Sequence, residues 1–384
     1  MRRTARLAAC AVVAAAMGLG AAPSALAAQS RTAEGAAMPA ADAAPLHRIA
    51  ESYLQQRADT VTATGRARVA PEPPQQATAE LANRLKGEFR QLAAQGRAYE
   101  KASGGYTRAE VKVTPGEATE AGGTATVRLT EDTRLHYPNV RQGDPEAEEY
   151  SVGHTLTFTR DAAGRWLLAS DKPDLGTGDV TTYLAAPAEG PKEPDADAEG
   201  GSAQRSAVTA RPQKPAEAAK TAAASYDYDA MAYYANKYWK NPNRAFRTYD
   251  NDCTNFVSQA MNFGGWHETG GNIFNRKSNK RWFYGGHTWT TSYTWAGAEN
   301  WYWFASKHSG RTSILRNVWD LRKADVLQAD WGPRPNNTID HTMIVTAWTP
   351  RDTYLTYHTG NTHNRKLSNL LAKRPDAWYY AHRT

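Results

Sequence analysis

Asp252-Cys253-Thr254-Asn255-Phe256-Val257-Ser258-Gln259-Ala260-Met261-Asn262-Phe263-Gly264-Gly265 is the stretch on which the fold turns. Phe256, Val257 and Ala260 form an apolar stripe of helical spacing, with Asp252 suited to cap it and the glycine pair to close it. The spacing predicts a helix with Cys253 in its first turn. Unpaired N–H groups there favour an anion, so a thiol pKa of about 8.5 is expected to fall toward neutrality. The same N–H groups are able to hold an oxyanion. The bland alternative is a small buried thiol that merely extends the apolar stripe.

Cys253 gains weight from what surrounds it in the chain. The 384 residues are 41% hydrophobic and 22% charged, with only two cysteines. That length suggests about two domains, and the dispersed apolar content excludes a polytopic membrane protein. Arg2, Arg3 and Arg6 precede an apolar run from Leu7 to about Ala22, and Ala25-Leu26-Ala27 reads as a cleavage site, so residues 1–27 are expected to be an export signal. Leu7-Ala8-Ala9-Cys10 opens that run instead of ending it, which argues against a lipid anchor. No later run reaches the roughly 18–20 apolar residues of a membrane span. Loss of Cys10 with the signal leaves Cys253 without an intrachain partner in an oxidising compartment.

Outward from the cysteine, residues 225–384 carry 20 Lys and Arg against 12 Asp and Glu, and hold eleven of the twelve Trp and seven of the ten His. This composition step marks a separate basic domain. Residues 28–44 are Ala-rich and unpatterned, and are expected to be disordered. Residues 185–224 lack aromatics and are crowded with Ala, Pro, Gly and charge; they are expected to form a flexible linker spanning on the order of 35 Å. Between these, residues 45–184 open with helical patterns around Leu46–Asp59 and Thr78–Tyr99, the second placing Leu81, Leu85, Phe89 and Leu92 on one face. Extended segments follow at Thr107–Thr114, Thr124–Tyr137, Tyr150–Thr159 and Arg165–Ser170. The order implies an α+β accessory domain of cystatin-like or nuclear-transport-factor-like architecture. His136 and His154, isolated on these strand patterns, read as structural.

A thiol nucleophile needs a base and a group to orient it. Ala324–Trp331 reads as a strand, and His341–Trp348 as a second in which His341 shares a face with Met343, Val345 and Ala347. A buried histidine there is costly without a partner. A turn at Thr349–Asp352 leads to Thr353–Asn361. If Trp348 pairs with Thr353 and the register holds, His341 faces Gly360 and His358 is its diagonal neighbour on the same face. His358 is the first candidate to orient His341. Asn361 is the second, provided Gly360 breaks the pleat. Asn251 and Asp252 complete the set as support for orientation or the oxyanion.

These residues resemble the putative amidase domain family of exported bacterial proteins, relatives of the papain-like CHAP and NlpC-type cell-wall hydrolases. The resemblance covers residues 226–384 and rests on Tyr233-Tyr234-Ala235, the run from Asp252 to Gln259 with Gly264-Gly265, His341 to Thr346, and Tyr357-His358-Thr359. It implies a papain-like domain of helices packed on a small antiparallel sheet, with Cys253 as nucleophile, His341 as base and His358 in the third polar place. Ala324-Asp325 stands where relatives tend to show Gly-Asp; an extended conformation is expected to suit the alanine. The expected protein is a secreted, cofactor-free, monomeric cysteine amidase or peptidase acting on cell-wall peptide or peptidoglycan.

Rival readings use the same residues. Zinc bound by Cys253, His341, His358 and His363 finds no matching ligand spacing, and Ser258, Ser292 and Ser313 lack a nucleophile-elbow setting. A basic aromatic domain suits nucleic acid, but export and the lack of a recognition motif argue against it. Trp289 and Trp295 are candidates for substrate stacking, against the alternative that such dense aromatics fill a core. The main competitor is a wall-binding module with a structural thiol. In a hydrolase Cys253→Ser abolishes turnover; in such a module it is silent.

Overall fold

Both helical patterns of the N-terminal half form helices, but the first already starts at Ala40, and Ala36–Ala37 pair as a strand, so the described part of residues 28–44 is ordered against expectation. α1 (Ala40–Thr60) and α3 (Ala79–Ser103) are joined through the short α2 (Ala63–Arg68). Thr78 Oγ1 accepts a hydrogen bond from Leu81 N, and Gly104, at φ 85°, ends α3 in the left-handed cap that glycine adopts without steric cost. Leu81, Leu85, Phe89 and Leu92 are fully buried against Leu46, Tyr53 and Leu54 of α1 and the sheet residues Val127, Leu129, Leu156 and Phe158. At roughly 1.5–3 kcal/mol per buried large apolar side chain, this stripe outweighs any helix propensity in fixing the layer.

The computed structural model describes residues 35–68, 74–190, 199, 202–209, 226–332 and 338–384. The expected export signal and the greater part of the expected linker lie outside them. The sheet begins with β1 (Ala36–Ala37), β2 (Ala109–Ala121), β3 (Thr124–His136), β4 (Ala147–Arg160) and β5 (Trp166–Pro173). β3 and β4 pair antiparallel from Thr124↔Thr159 to His136↔Ala147. Pairing supplies the carboxylates that linear proximity does not show. His154 is buried with Nδ1 2.8 Å from Asp171 and Nε2 3.1 Å from Glu131.

In the C-terminal half, α4 (Tyr228–Tyr238), α5 (Cys253–Phe263), α6 (Tyr293–Ala296) and α7 (Ala298–Trp303) lie to one side of the strands. The strands are β6 (Ser313–Ile314), β7 (Val326–Asp330), β8 (His341–Trp348), β9 (Thr353–Tyr357), β10 (Thr362–Lys366) and β11 (Trp378–Arg383), with α8 (Leu367–Lys373) between the last two. One core joins Phe256, Val257 and Ala260 of α5 to Trp266, Trp282, Trp295 and Ile344; another packs Met343, Val345, Leu355 and Tyr357 against Leu367 and Leu370. Polar side chains of the α5 run brace the first core. Trp282 Nε1 donates to Ser258 Oγ at 3.1 Å, and Trp295 Nε1 to Asn255 Oδ1 at 2.8 Å.

The overall class is α+β, but the two halves share one sheet. β4 pairs antiparallel with β10, Tyr150 opposite Thr362 and Glu149 opposite His363. At 14 residues, β4 is long enough for β5 to take its other end. Among the described residues the order is β1-β2-β3-β4-β10-β9-β8-β7-β11-β6, and Gly35–Thr384 form one compact unit. The described parts of the linker segment also bind this unit. Gly190 N donates to Asp340 Oδ1 at 2.9 Å and Ser206 N to the Tyr379 carbonyl at 2.8 Å. Small side chains let that backbone approach closely, a property composition registers only as low hydrophobicity.

Ala324 departs from its expected extended form. Its φ is 70°, in the left-handed region where a Cβ costs roughly 1–2 kcal/mol. Ala324 N is held by the Val345 carbonyl at 2.8 Å, and its own carbonyl accepts from Thr384 Oγ1 at 3.2 Å. A glycine would adopt this conformation without steric cost; the alanine meets it under strain.

Candidate active site

α5 begins at Cys253, as its apolar spacing predicts, with Asp252 at the cap position. Asp252 does not cap by the usual bond to the helix amides. Oδ1 accepts instead from Tyr249 N and Asn255 Nδ2, at 2.9 and 2.8 Å, while Oδ2 meets His358 Nδ1 at 2.6 Å. His358 Nε2 lies 2.8 Å from the Tyr238 carbonyl, and its ring stacks on Phe256 with centroids 4.0 Å apart. Both ring nitrogens are thus engaged, one by the Asp252 carboxylate and one by the Tyr238 carbonyl.

His358 is therefore not the diagonal neighbour of His341. Trp348 does pair with Thr353 and Ala347 with Tyr354, but a bulge at Thr346 shifts the register, so that Val345 faces Leu355 and Ile344 faces Thr356. A one-residue slip moves every following side chain to the opposite face. Tyr357 takes the place expected for His358, its ring edge-on to His341 with centroids 4.9 Å apart. His358 passes to the α5 side and anchors the turn that carries Cys253. Asn361 also makes no hydrogen bond to His341. It sits in the turn after Thr359 and Gly360, both at positive φ, where its carbonyl accepts from Ser151 N.

Cys253 and His341 do converge, through a residue sequence reasoning assigned to the accessory half. Thr177 Oγ1 lies 3.9 Å from Cys253 Sγ and 3.3 Å from His341 Nδ1. Thr177 N donates to Asn251 Oδ1 at 3.2 Å, and Trp331 Nε1 donates to the Thr177 carbonyl at 2.8 Å. Asn251, expected to support an oxyanion, here grips this segment. No periodicity marks Thr177 beforehand; the sole hint is its place between Gly176 and Gly178 just after the last strand of that half.

The electrostatics describe a closed site. Cys253 is a free thiol and 3% exposed, while His341 is fully buried. Burial raises the Cys253 pKa, against hydrogen bonds from Thr254, the Thr342 backbone and Thr177. The expected lowering at a helix N-terminus is thus reversed by desolvation. Burial also pushes His341 down to about 3, leaving it neutral, and its Nε2 has no hydrogen-bond partner among the described residues. The ring is held by packing between Trp331 and Tyr357.

The remaining candidates separate. Trp295 is fully buried in the aromatic core, whereas Trp289 is 58% exposed and stacks on His287. His363 lies between Glu149 and Asn236 and stacks on Trp239, well occupied in its own place. Among the described residues no set of His, Cys, Asp and Glu side chains is arranged to hold a metal ion. Nor is any described helix long and apolar enough to cross a membrane.

Comparison with known proteins places this site within a recognised region. Residues 225–382 match the family model described as "Putative amidase domain". Two Bacillus subtilis (strain 168) proteins are similar: the uncharacterized protein YhbB, 31% identical over 122 residues, or 32% of this chain and 37% of the relative; and the uncharacterized protein YjcM, 27% identical over 159 residues, or 40% and 36%. The chain thus spans little more than a third of the length of these relatives. The family match points to an amidase-type hydrolase.

Proposed function

We propose that the protein is a secreted cysteine-dependent amide hydrolase of papain-like design, acting on amide bonds in peptidoglycan or other cell-wall peptide. One observation carries the mechanism. Cys253 at a helix head and His341 at a strand head, 88 positions apart and both within the region matched by the amidase family, flank the hydroxyl of Thr177, which lies outside that region. That hydroxyl stands where a substrate carbonyl or leaving nitrogen would lie between nucleophile and base.

In the reaction, His341 Nδ1 takes the thiol proton and Sγ attacks the amide carbon. The oxyanion is met by N–H groups of the first turn of α5, and His341 returns the proton to the leaving amine as the C–N bond breaks. Water activated by His341 then cleaves the thioester, releasing the acid and the thiol. His358 and Asp252 act as positioning residues through the loop that presents Cys253. Hydration of the opened site relieves the burial that depresses His341 and raises Cys253, bringing both toward working values.

The test is a long digest of purified peptidoglycan with the mature protein, read by mass spectrometry. New peptide termini are expected, and they disappear with Cys253→Ser and with His341→Ala. Normal products from His341→Ala would overturn the mechanism, and unchanged products from Cys253→Ser would overturn the whole reading.

A further inference from the structure

The segment that carries Thr177 has the features of a built occupant of the site. After β5 the chain turns at Leu175, whose carbonyl accepts from Gly178 N at 3.0 Å, and runs between the two halves of the molecule. Gly176 and Gly178 press on the loop after β9. A Cβ on Gly176 would sit 2.2 Å from Thr359 Cγ2, and one on Gly178 1.6 Å from the Thr359 carbonyl oxygen, so only glycine allows the fit. Thr177 fills the space between Sγ and the imidazole. Two residues after Thr177, the buried Asp179 carboxylate meets three basic side chains: Arg365 at 2.9 Å, Lys373 at 3.1 Å and Arg374 at 2.5 Å. Lys373 also donates to the carbonyls of Val180 and Tyr183, at 2.5 and 2.7 Å.

Apart from the Leu175–Gly178 turn, each of these contacts crosses from the segment to a residue of the amidase region. The arrangement is therefore more than a loop packed nearby: a hydroxyl stands on the reacting groups, glycines are demanded by close approach, and one carboxylate fills a pocket of positive charge. A peptide bearing a carboxylate at that spacing would meet the same contacts. We propose that Leu175–Val180 is an intramolecular plug of the catalytic cleft, seated as a substrate peptide would be and latched by Asp179 in the pocket of Arg365, Lys373 and Arg374. The protein in this form is latent. Its open cleft takes a peptide with small residues beside Cys253 and a carboxylate two residues on. The proposal rests on the hydrolase reading only for the word substrate; closure itself is a matter of access.

Access is measured without substrate, by the rate at which iodoacetamide labels the single thiol of the mature protein, followed by intact mass. A buried thiol is labelled only through local opening, so wild type labels slowly. Asp179→Ala removes the latch, and Gly178→Ala lifts the segment by steric overlap while keeping every charged side chain in the sequence. Each is expected to label roughly tenfold faster or more, since a loss of about 1.4 kcal/mol in the opening free energy already gives that factor. Leu85→Ala, which weakens the core beneath α3 without changing Thr177, Gly178 or Asp179, should raise the rate far less while the fold persists. A synthetic peptide Leu-Gly-Thr-Gly-Asp-Val should slow labelling of the Gly178→Ala protein, and its Asp-to-Asn counterpart should protect far less.

Folded Gly178→Ala protein that labels as slowly as wild type would overturn the plug, as would wild type that labels like a free thiol. Loss of the difference between the two peptides would overturn the carboxylate pocket as its latch. Fast labelling of Gly178→Ala without hydrolysis would uphold the plug and refute the hydrolase. Hydrolysis by wild type with equal labelling of all variants would do the reverse.

Discussion

Two buried histidines, one in each half, show how the same side chain is kept for opposite purposes. His154 lies on β4 with both nitrogens on carboxylates, Asp171 and Glu131, and Tyr150 and Tyr183 donate in turn to Glu131. Burial alone would lower its pKa, but those two carboxylates lift it to about 9. His341 lies at the head of β8 with rings on two sides, one hydroxyl at Nδ1 and, among the described residues, no hydrogen-bond partner at Nε2, and burial holds it near 3. The first is saturated with partners and locked in charge. The second keeps an unused nitrogen and a removable neighbour, the condition of a group that has a proton to move.

The largest test of that contrast is chemical. In protein opened by Gly178→Ala, Cys253→Ser should lower turnover by about 10⁴-fold or more and His341→Gln by about 10²–10⁴-fold. His341→Gln should change the unfolding free energy far less than a change at His154, because the ring makes one weak hydrogen bond and is otherwise held by packing. His154→Leu should do the opposite. It strands Glu131 and Asp171 in the core and should cost about 3–5 kcal/mol in a urea titration, with no direct effect on Cys253 labelling.

The pH dependence of stability should carry both signatures. His154 titrates higher in the folded protein than its ordinary 6.5, so its contribution is complete below 6.5 and is lost as pH rises toward about 9. His341 and His382, both held near 3 by burial, contribute fully above 6.5 and lose that contribution as pH falls toward 3. Relative to wild type, thermal unfolding across pH should therefore lose alkaline dependence in His154→Gln and acid dependence in His341→Gln. A smaller effect is expected of His358→Ala, about 1–3 kcal/mol, because Asp252 and the Tyr238 carbonyl lose their shared partner; turnover should fall by less than with His341→Gln. The smallest is a gain. Ala324→Gly should raise stability by up to about 1 kcal/mol by relieving the left-handed alanine.

What was legible beforehand follows the range of the interactions. Helix α3 and its stripe, the strands around β3 and β4, and Cys253 at the head of α5 depend on spacing within a dozen residues, and they appear where their patterns put them. His341 at a buried strand head is legible for the same reason. Thr177 is not, because its meaning comes from Cys253 and His341, far ahead in the chain. The exchange of His358 for Tyr357 has a subtler cause: the turn and its first two pairs follow the expected register, and one extra residue at Thr346 then undoes it. The joining of β4 to β10 is carried by two residue pairs whose sequences show only ordinary strand character.

That junction has a practical meaning for anyone who would cut the chain at residue 225 to isolate its catalytic half. Removing β4 strips β10 of a partner and leaves a row of backbone donors and acceptors open to whatever strand comes by, most readily that of another copy. Such a fragment should be prone to self-association, its insolubility easily mistaken for misfolding. A molecule sewn together in this way is better opened by shifting one short segment than by shedding a whole half.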